Sequence, residues 1–258
     1  MDPPVRGQWV LFTAVTFAAM RFPALMRCSS VRHLCTAPRL ALPELPDGSR
    51  RLYLVRHGET NWNVEQRIQG STDKPLNETG VRQATDLAAL LSPVPLSLIC
   101  SSPLMRASET ARCVHAFHPG AAWREEPRFA EMHFGEIEGR TLAEYAETYK
   151  ATLAAWESGD TEVRWPGRGG ESCQDVADRA LEALEELLSE MRHRHICVVA
   201  HSRVNKSLLA CLQGDLSRCS AVAQGNTCVN VLDVDAEGAW NVVLLDFREH
   251  VGRGEAWS

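Results

Sequence analysis

The strongest constraint on the fold is an apolar run, Leu52 to Val55, that ends directly in Arg56-His57-Gly58. Its length and composition are those of a buried strand. A second apolar run, Ile196 to Ala200, ends in His201 in the same way. Ligands of open α/β sheets sit outside the carboxyl ends of the strands. Both histidines are therefore predicted to lie at the ligand-binding end of a sheet.

Two further segments supply groups that phosphoryl transfer through a histidine requires. The apolar run Leu96 to Cys100 is followed by Ser-Ser-Pro-Leu-Met-Arg-Ala-Ser-Glu-Thr-Ala at residues 101–111, which contains Arg106. A guanidinium beside an imidazole suits the holding and attacking of a phosphoryl group. Residues 131–139, Glu-Met-His-Phe-Gly-Glu-Ile-Glu-Gly, place Glu131 in a glycine-punctuated segment suited to presenting a proton donor.

Strand patterns alternate with helical patterns along the rest of the chain, which is typical of a doubly wound α/β domain. Asn77-Glu78 is predicted to open a helix that ends at Leu91, and Glu171-Ser172 to precede a helix that runs to Met191. Ser102-Pro103 is predicted to supply the cap and first-turn proline of another helix. Asn205 to Gln213 has a helical pattern behind His201. Late strands are predicted near residues 227–234 and 240–245.

In combination and in this order, these motifs resemble the histidine phosphatase superfamily, in the branch that holds cofactor-dependent phosphoglycerate mutases and their phosphatase relatives. The resemblance covers roughly Arg51 to Phe247. It implies a phosphoglycerate mutase-like fold, a three-layer α/β/α arrangement with a mostly parallel central sheet.

The resemblance also implies roles for five residues. His57 would attack phosphorus and form a phosphohistidine, with its other ring nitrogen donating to a fixed acceptor such as a backbone carbonyl. Arg56 and Arg106 would clamp the non-bridging oxygens, and a cationic His201 would do likewise. Glu131 would protonate the leaving oxygen and then deprotonate the attacking water.

Four further residues fall where the family contacts its substrate or supports that contact. Asn63 resembles a phosphate-contacting asparagine, although an asparagine after a strand also serves as a turn or cap residue. Gln69 and Gly70 fall where the family lines the substrate mouth. Glu59 is interpreted as a partner of the arginines.

The chain departs from the family after the late histidine, where Ser202-Arg203 stands in place of the more usual Gly-Gly. A backbone N–H of Ser202 at a helix N-terminus would favour a bound anion. Arg203 either reaches the substrate or lies in solvent. Asn226-Thr227 either contributes a contact or forms a turn.

Residues 141–170 are expected to close over the site and to set specificity. This segment holds five acids against three bases (Glu144, Glu147, Glu157, Asp160 and Glu162 against Lys150, Arg164 and Arg168). The resemblance associates mutases with a longer, basic insertion. A metal-independent phosphomonoesterase acting on a small phosphorylated metabolite is therefore favoured. A 2,3-bisphosphoglycerate-dependent phosphoglycerate mutase and a weakly active scaffold protein stay open as alternatives.

Composition restricts the partners. The net charge of −6, without any aromatic-basic stripe, argues against nucleic acid, and no membrane partner is expected. The nine cysteines form no Cys-x-x-Cys pair and are interpreted as reduced thiols. No zinc spacing is evident, so neither a metal nor another cofactor is expected. The oligomeric state is left open.

Four regions are predicted along the chain: residues 1–43, a linker at 44–50, the domain at 51–247, and a tail at 248–258. Residues 1–43 carry five arginines but a single acid, Asp2, which is the composition of an organelle presequence for a mitochondrion or plastid. The apolar stretch Trp9 to Met20 is shorter than the ~20 residues that span a bilayer. A cytoplasmic, disordered extension and a secretion signal are the alternatives, and Met20 or Met26 is an alternative start.

Overall fold

The structure, a computed structural model, describes residues 39–190 and 192–251. The presequence interpretation, except for residues 39–43, lies outside these residues, as does the tail beyond Val251. Both stay predictions.

Strands and helices alternate along the described chain. The regular elements are β1 (Arg50–Arg56), α1 (Asn61–Val64), α2 (Glu78–Leu91), β2 (Leu98–Ser101), α3 (Met105–Ala116), β3 (Ala122–Glu125), α4 (Ala146–Glu157), α5 (Cys173–Ser189), β4 (His195–Ala200), α6 (Ser202–Leu212), β5 (Val229–Val234) and β6 (Trp240–Phe247). Short 3₁₀ turns lie at Pro127–Phe129, Gly135–Ile137 and Leu216–Ser220.

The strands form one mostly parallel sheet in the order β3-β2-β4-β1-β5-β6. The pairs β3–β2, β2–β4 and β4–β1 are parallel, whereas β1–β5 and β5–β6 are antiparallel. Strand β1 therefore lies where the sheet changes direction. Its carboxyl end is beside that of β4, as the positions of His57 and His201 in the sequence predict.

Helices cover both faces of the sheet because side chains of a strand alternate between its faces. Leu52 and Leu54 of β1 pack in a core cluster with residues of α5 and α6. Tyr53 and Val55 pack in a second cluster with residues of α2 and α3. The α/β fold class and the three-layer arrangement are confirmed.

Two of the predicted helix starts are confirmed by their caps. The side chain of Asn77 accepts a hydrogen bond from the backbone N–H of Gly80, at 2.7 Å, and caps α2. Ser172 and Asp175 form a reciprocal capping box at the start of α5. Helix α6 begins at Ser202, three residues before the predicted pattern.

The predicted start of α3 is wrong, because the helix begins at Met105 and Leu104 is its N-cap residue. The hydroxyl of Ser102 accepts from the Leu104 N–H at 3.2 Å and also lies 2.8 Å from Nε2 of His201. Ser102 therefore serves the histidine at the end of β4, and Pro103 precedes the helix.

The segments that flank the predicted domain pack against it. Leu40 and Leu42 contact the second core cluster, and Leu45 is buried. At the other end, His250 and Val251 are buried, and Nε2 of His250 lies 3.2 Å from the Thr227 hydroxyl.

None of the helices in the described part of the chain is both long and apolar enough to cross a membrane. The seven cysteines that the structure describes are free thiols.

A buried ion pair ties β1 to β5. Arg51 and Asp233 face each other in the strand register, with Nε–Oδ1 at 2.6 Å and Nη2–Oδ2 at 2.7 Å. The carboxylate raises the pKa of the Arg51 guanidinium. Nη1 of Arg51 donates to the carbonyl of Pro43 at 2.9 Å, which holds the preceding segment against the sheet.

Replacement of Asp233 by alanine is expected to lower the free energy of unfolding by about 3–5 kcal/mol, because it leaves a buried guanidinium without its counter-charge. Urea denaturation measures this change. The matched control is Lys150→Ala, which breaks an exposed pair with Glu147 and is expected to change the free energy by less than about 1 kcal/mol. Equal effects of the two substitutions would contradict the assignment of Arg51–Asp233 as a structural pair.

Candidate active site

The backbone around His57 is held from three sides at the carboxyl end of β1. Its N–H donates to the carbonyl of Ala200 at 3.1 Å, at the end of β4. Its own carbonyl accepts from the Thr227 N–H at 3.2 Å and from the Asn226 side chain at 3.0 Å. Of the two interpretations of Asn226-Thr227, the turn is confirmed, because the Cys228 N–H donates to the Gly225 carbonyl at 3.1 Å. This turn supports the His57 backbone.

The imidazole of His57 has a defined tautomer. Nδ1 lies 2.7 Å from the carbonyl oxygen of Gly58. A carbonyl only accepts hydrogen bonds, so Nδ1 carries the proton and Nε2 has a free lone pair. This is the arrangement that the nucleophile prediction requires.

Glycine makes possible a close contact between the His57 loop and helix α2. A Cβ on Gly58 would lie 2.6 Å from the carbonyl oxygen of Gly80, and a Cβ on Gly80 would lie 2.1 Å from that of Glu59. The Gly58 N–H also donates to the Thr110 hydroxyl at 3.0 Å. The loop is thereby fixed between α2 and α3.

The interpretation of Glu59 as a partner of the arginines is wrong. Its Oε1 accepts from the Asn77 side chain at 2.8 Å, and its carbonyl accepts from the Asn77 N–H at 3.0 Å. Glu59 thus joins the His57 loop to the cap of α2, a contact that no local sequence signal indicates.

Arg56 and Arg106 present guanidinium groups without a carboxylate partner among the described residues. Nη1 of Arg56 donates to the carbonyl of Gln224. Arg106 is fully buried, and its Nη1 and Nη2 donate to the carbonyls of Thr72 and Gly70 at 3.0 and 2.8 Å. The Nε atoms of both arginines are buried without a hydrogen-bond partner among these residues. Burial lowers the pKa of Arg106 to about 10, which leaves it charged at neutral pH.

His201 lies beside His57, with ring centroids 5.1 Å apart. Burial is the first cause, and the charge of Arg106 the second, that holds the pKa of each imidazole well below its ordinary value. The direction of this shift disfavours the cationic His201 that the resemblance implies. Its Nδ1 is buried without a hydrogen-bond partner among the described residues.

Glu131 is held at the first turn of α6. Its Oε1 accepts from the N–H groups of Met132 and Val204 at 2.9 and 3.3 Å, and its Oε2 accepts from that of Arg203 at 3.4 Å. Oε1 is thus the firmly held oxygen, and Oε2 is the oxygen with capacity for a proton.

These side chains line one cleft of about 300 Å³. The predicted residues among its lining are Arg56, His57, Asn63, Gln69, Gly70, Arg106, Glu131 and Ser202. His201, predicted to bind the substrate, lies beside His57 but is not among the lining residues. Within residues 141–170, Leu142 and Tyr149 line the cleft, whereas the three bases of that segment do not.

Three of the lining residues also have structural roles. Asn63 forms a capping box with Thr60, so the cap interpretation holds although the side chain lines the cleft. Gln69 accepts from the Thr60 hydroxyl at 3.0 Å. Gly70 has φ +52°, and its carbonyl binds Arg106.

Eight of the lining residues carry no site assignment from the sequence, and two of these, Arg203 and Tyr149, contact each other. Arg203, left between substrate and solvent, is buried in the cleft wall and reaches Tyr149 of α4. The presence of Ser202-Arg203 in place of Gly-Gly could have identified Arg203 as a site residue. Nothing in the sequence distinguishes Tyr149 from its neighbours. No group of three or more potential metal ligands occurs among the described residues.

The chain is similar in sequence to known proteins over most of its length. A family model described as the histidine phosphatase superfamily (branch 1) matches residues 52–247. A metal-independent phosphoserine phosphatase of Arabidopsis thaliana is 36% identical over 160 residues, which cover 61% of this chain and 66%, just under two thirds, of that relative. Phosphoglycerate mutase-like protein 4 of the same plant is 33% identical over 78% of this chain and 86% of its own length.

Solved structures agree with the fold. A mycobacterial glucosyl-3-phosphoglycerate phosphatase in complex with VO3 superposes with a TM-score of 0.69 at 31% identity, covering 77% of this chain and all of that chain.

Nitrogen NMR of histidine-labelled protein is expected to show His57 protonated at Nδ1 and unprotonated at Nε2, with no titration between about pH 8 and pH 6, because its lowered pKa keeps the neutral form down to lower pH. A His57→Gln variant assigns the signal. A midpoint at or above about pH 6.5 would contradict the buried, arginine-flanked imidazole.

Proposed function

The chain belongs to the histidine phosphatase superfamily (branch 1), and from that membership and the geometry of the cleft we propose that it is a metal-independent phosphomonoesterase of a small phosphorylated metabolite. The observation that carries the proposal is the His57 imidazole, whose Nδ1–H is fixed on the Gly58 carbonyl so that Nε2 is free to attack. Relatives named as phosphatases of phosphoserine and of glucosyl-3-phosphoglycerate support this class of substrate.

In the first step, Nε2 of His57 bonds to phosphorus while the bond from phosphorus to the ester oxygen breaks. Glu131, protonated at Oε2, gives its proton to the departing oxygen, which leaves as an alcohol. Arg56 and Arg106 stabilise the charge on the non-bridging oxygens, and their unpartnered Nε atoms are available as donors.

In the second step, water attacks the phosphohistidine. Glu131, now a carboxylate, takes a proton from the water as the new phosphorus–oxygen bond forms and the phosphorus–nitrogen bond breaks. Inorganic phosphate leaves, and Nε2 regains its lone pair. The bond from Nδ1–H to Gly58 keeps the ring in one orientation through both steps.

The lining of the cleft supports hydrolysis over transfer. The bases within residues 141–170 are absent from it, and Arg164 pairs instead with Asp175 on α5. Without basic side chains from this segment, the intermediate lacks the shield that the resemblance associates with mutases.

Phosphate release from a panel of phosphorylated metabolites, measured in excess chelator, is expected for the wild-type protein and is expected to vanish in His57→Ala, since no other group takes over the bond to phosphorus. The matched control is His115→Ala, at a partly buried histidine in the last turn of α3 that does not line the cleft, and it is expected to retain release.

Isomerisation of 3-phosphoglycerate is followed in the same samples, with and without 2,3-bisphosphoglycerate. Isomerisation without phosphate release would contradict the proposed phosphatase activity and support the mutase alternative. If neither phosphate release nor isomerisation is detected, the scaffold protein is the alternative that remains.

Glu131→Gln is expected to lower kcat for alkyl phosphates by about 100-fold or more, because the departing alkoxide loses its proton donor. The loss is expected to be smaller for formation of the phosphoenzyme from p-nitrophenyl phosphate, whose leaving group departs as a stable anion. Glu136→Gln, an exposed carboxylate in the same segment, is the control. Equal losses on both substrates would argue against Glu131 as the acid.

A further inference from the structure

Arg203 is a buried cation that the two-step mechanism does not use. It lies in the first turn of α6, is 6% exposed and lines the cleft. Its Nη2 donates to the Tyr149 hydroxyl. The guanidinium carbon lies 5.3 Å from the centroid of the Tyr149 ring and 5.9 Å from that of Trp156. Nη1 is buried without a hydrogen-bond partner among the described residues.

A guanidinium in this position is costly to the protein. Removal of a charge from water is unfavourable unless the charge is paired. The Tyr149 hydroxyl and the rings of Tyr149 and Trp156 offset only part of this free-energy cost. No carboxylate of the described residues lies within 4 Å of the guanidinium nitrogens of Arg203. The guanidinium therefore has no contacting counter-charge among the described residues.

The other cations of the cleft are already assigned. Arg56 and Arg106 flank the nucleophile, and Arg67 is paired with Glu65 at 2.7 Å and with the Gly139 carbonyl. Four arginines but only one carboxylate, Glu131, line the cleft, in a chain whose net charge is −6. Arg203 is thus a surplus positive charge after the phosphoryl group has been accommodated.

The surroundings of Arg203 also fix its direction. Tyr149 and the fully buried Trp156 both belong to α4, so this one helix orients the Arg203 guanidinium. Lys206 follows three residues later on the same face of α6. Burial and then the charges of Arg203 and Arg56 lower the pKa of Lys206 to about 8, so a second cationic side chain lies near Arg203.

We propose that Arg203 binds a second anionic group of the substrate, carried by the part that is released as the alcohol. A carboxylate or a second phosphate has the required chemistry, since either accepts the forked donors of a guanidinium. The inference rests on the proposed function, because it takes the phosphoryl group to lie between Arg56, Arg106 and His57. It names the substrate class as phosphomonoesters with a second negative charge.

The test compares three esters with one skeleton: 3-phosphoglycerate, which carries a carboxylate, glycerol 1,3-bisphosphate, which carries a second phosphate, and glycerol 3-phosphate, which carries a neutral hydroxyl. We expect the wild-type protein to favour at least one of the anionic esters over glycerol 3-phosphate by about tenfold or more in kcat/KM. In Arg203→Gln this ratio falls towards one, chiefly through a higher KM for the anionic ester. The favoured ester distinguishes the carboxylate from the phosphate.

Three further variants sharpen the test. Arg203→Lys keeps the charge without the fork and is expected to restore part of the ratio. Tyr149→Phe removes the hydroxyl that holds Nη2 and is expected to lower the ratio less than Arg203→Gln does. It tests the proposal in place of Arg203→Gln if that variant does not fold. Arg112→Gln removes an exposed arginine on α3 and is the matched control, with an unchanged ratio.

Two results would overturn the proposal: an unchanged ratio in Arg203→Gln, or an equal loss on all three esters, which would place Arg203 on the reacting phosphate or in the scaffold.

Equilibrium binding of the three esters to His57→Ala, with and without Arg203→Gln, requires no turnover. If hydrolysis fails while the binding preference disappears with Arg203, the subsite stands and the phosphatase proposal falls. If hydrolysis proceeds without any preference, the subsite falls and the phosphatase proposal stands.

Discussion

The pairing of β1 between a parallel neighbour, β4, and an antiparallel neighbour, β5, is the constraint on which the site depends. The parallel pairing brings the carboxyl end of β4, and hence His201, beside that of β1. The antiparallel pairing brings the turn that precedes β5, with Asn226, to the same place, where it binds the His57 carbonyl. A single change of strand direction thus gathers chain segments nearly 170 residues apart around one imidazole.

The sequence predicted the parts of the site that the strands themselves place. Arg56, His57 and His201 follow directly from strand ends, and the caps of α2 and α5 follow from local hydrogen-bonding residues. The wrong predictions concern groups whose partners come from elsewhere in the fold. Ser102 has the character of a cap, yet its hydroxyl contacts His201, and Glu59 meets Asn77 instead of an arginine. The direction of the His201 pKa shift comes from burial and from the charge of Arg106, neither of which the sequence shows.

The arrangement of charges separates stability from function. Arg51 is buried with a bidentate carboxylate partner, and the pair joins two strands. Arg56, Arg106 and Arg203 are held by carbonyl, hydroxyl or aromatic groups that orient a guanidinium without neutralising it. Such groups store electrostatic free energy that an anion releases on binding, at the expense of the stability of the protein alone. The two classes of arginine are therefore distinguishable by their partners.

The glycine contacts between the His57 loop and α2 bear on how such a protein diversifies. Positions 58 and 80 admit no side chain, because even a methyl group would meet a backbone oxygen at 2.6 or 2.1 Å. Gly80 takes no part in the chemistry, yet it tolerates substitution as poorly as Gly58 in the His57 loop. Arg203 stands on a different element, where substitution leaves the loop and its tautomer in place. A substitution of the Arg203 side chain, proposed above to change substrate preference, thus leaves the contacts of positions 58 and 80 in place.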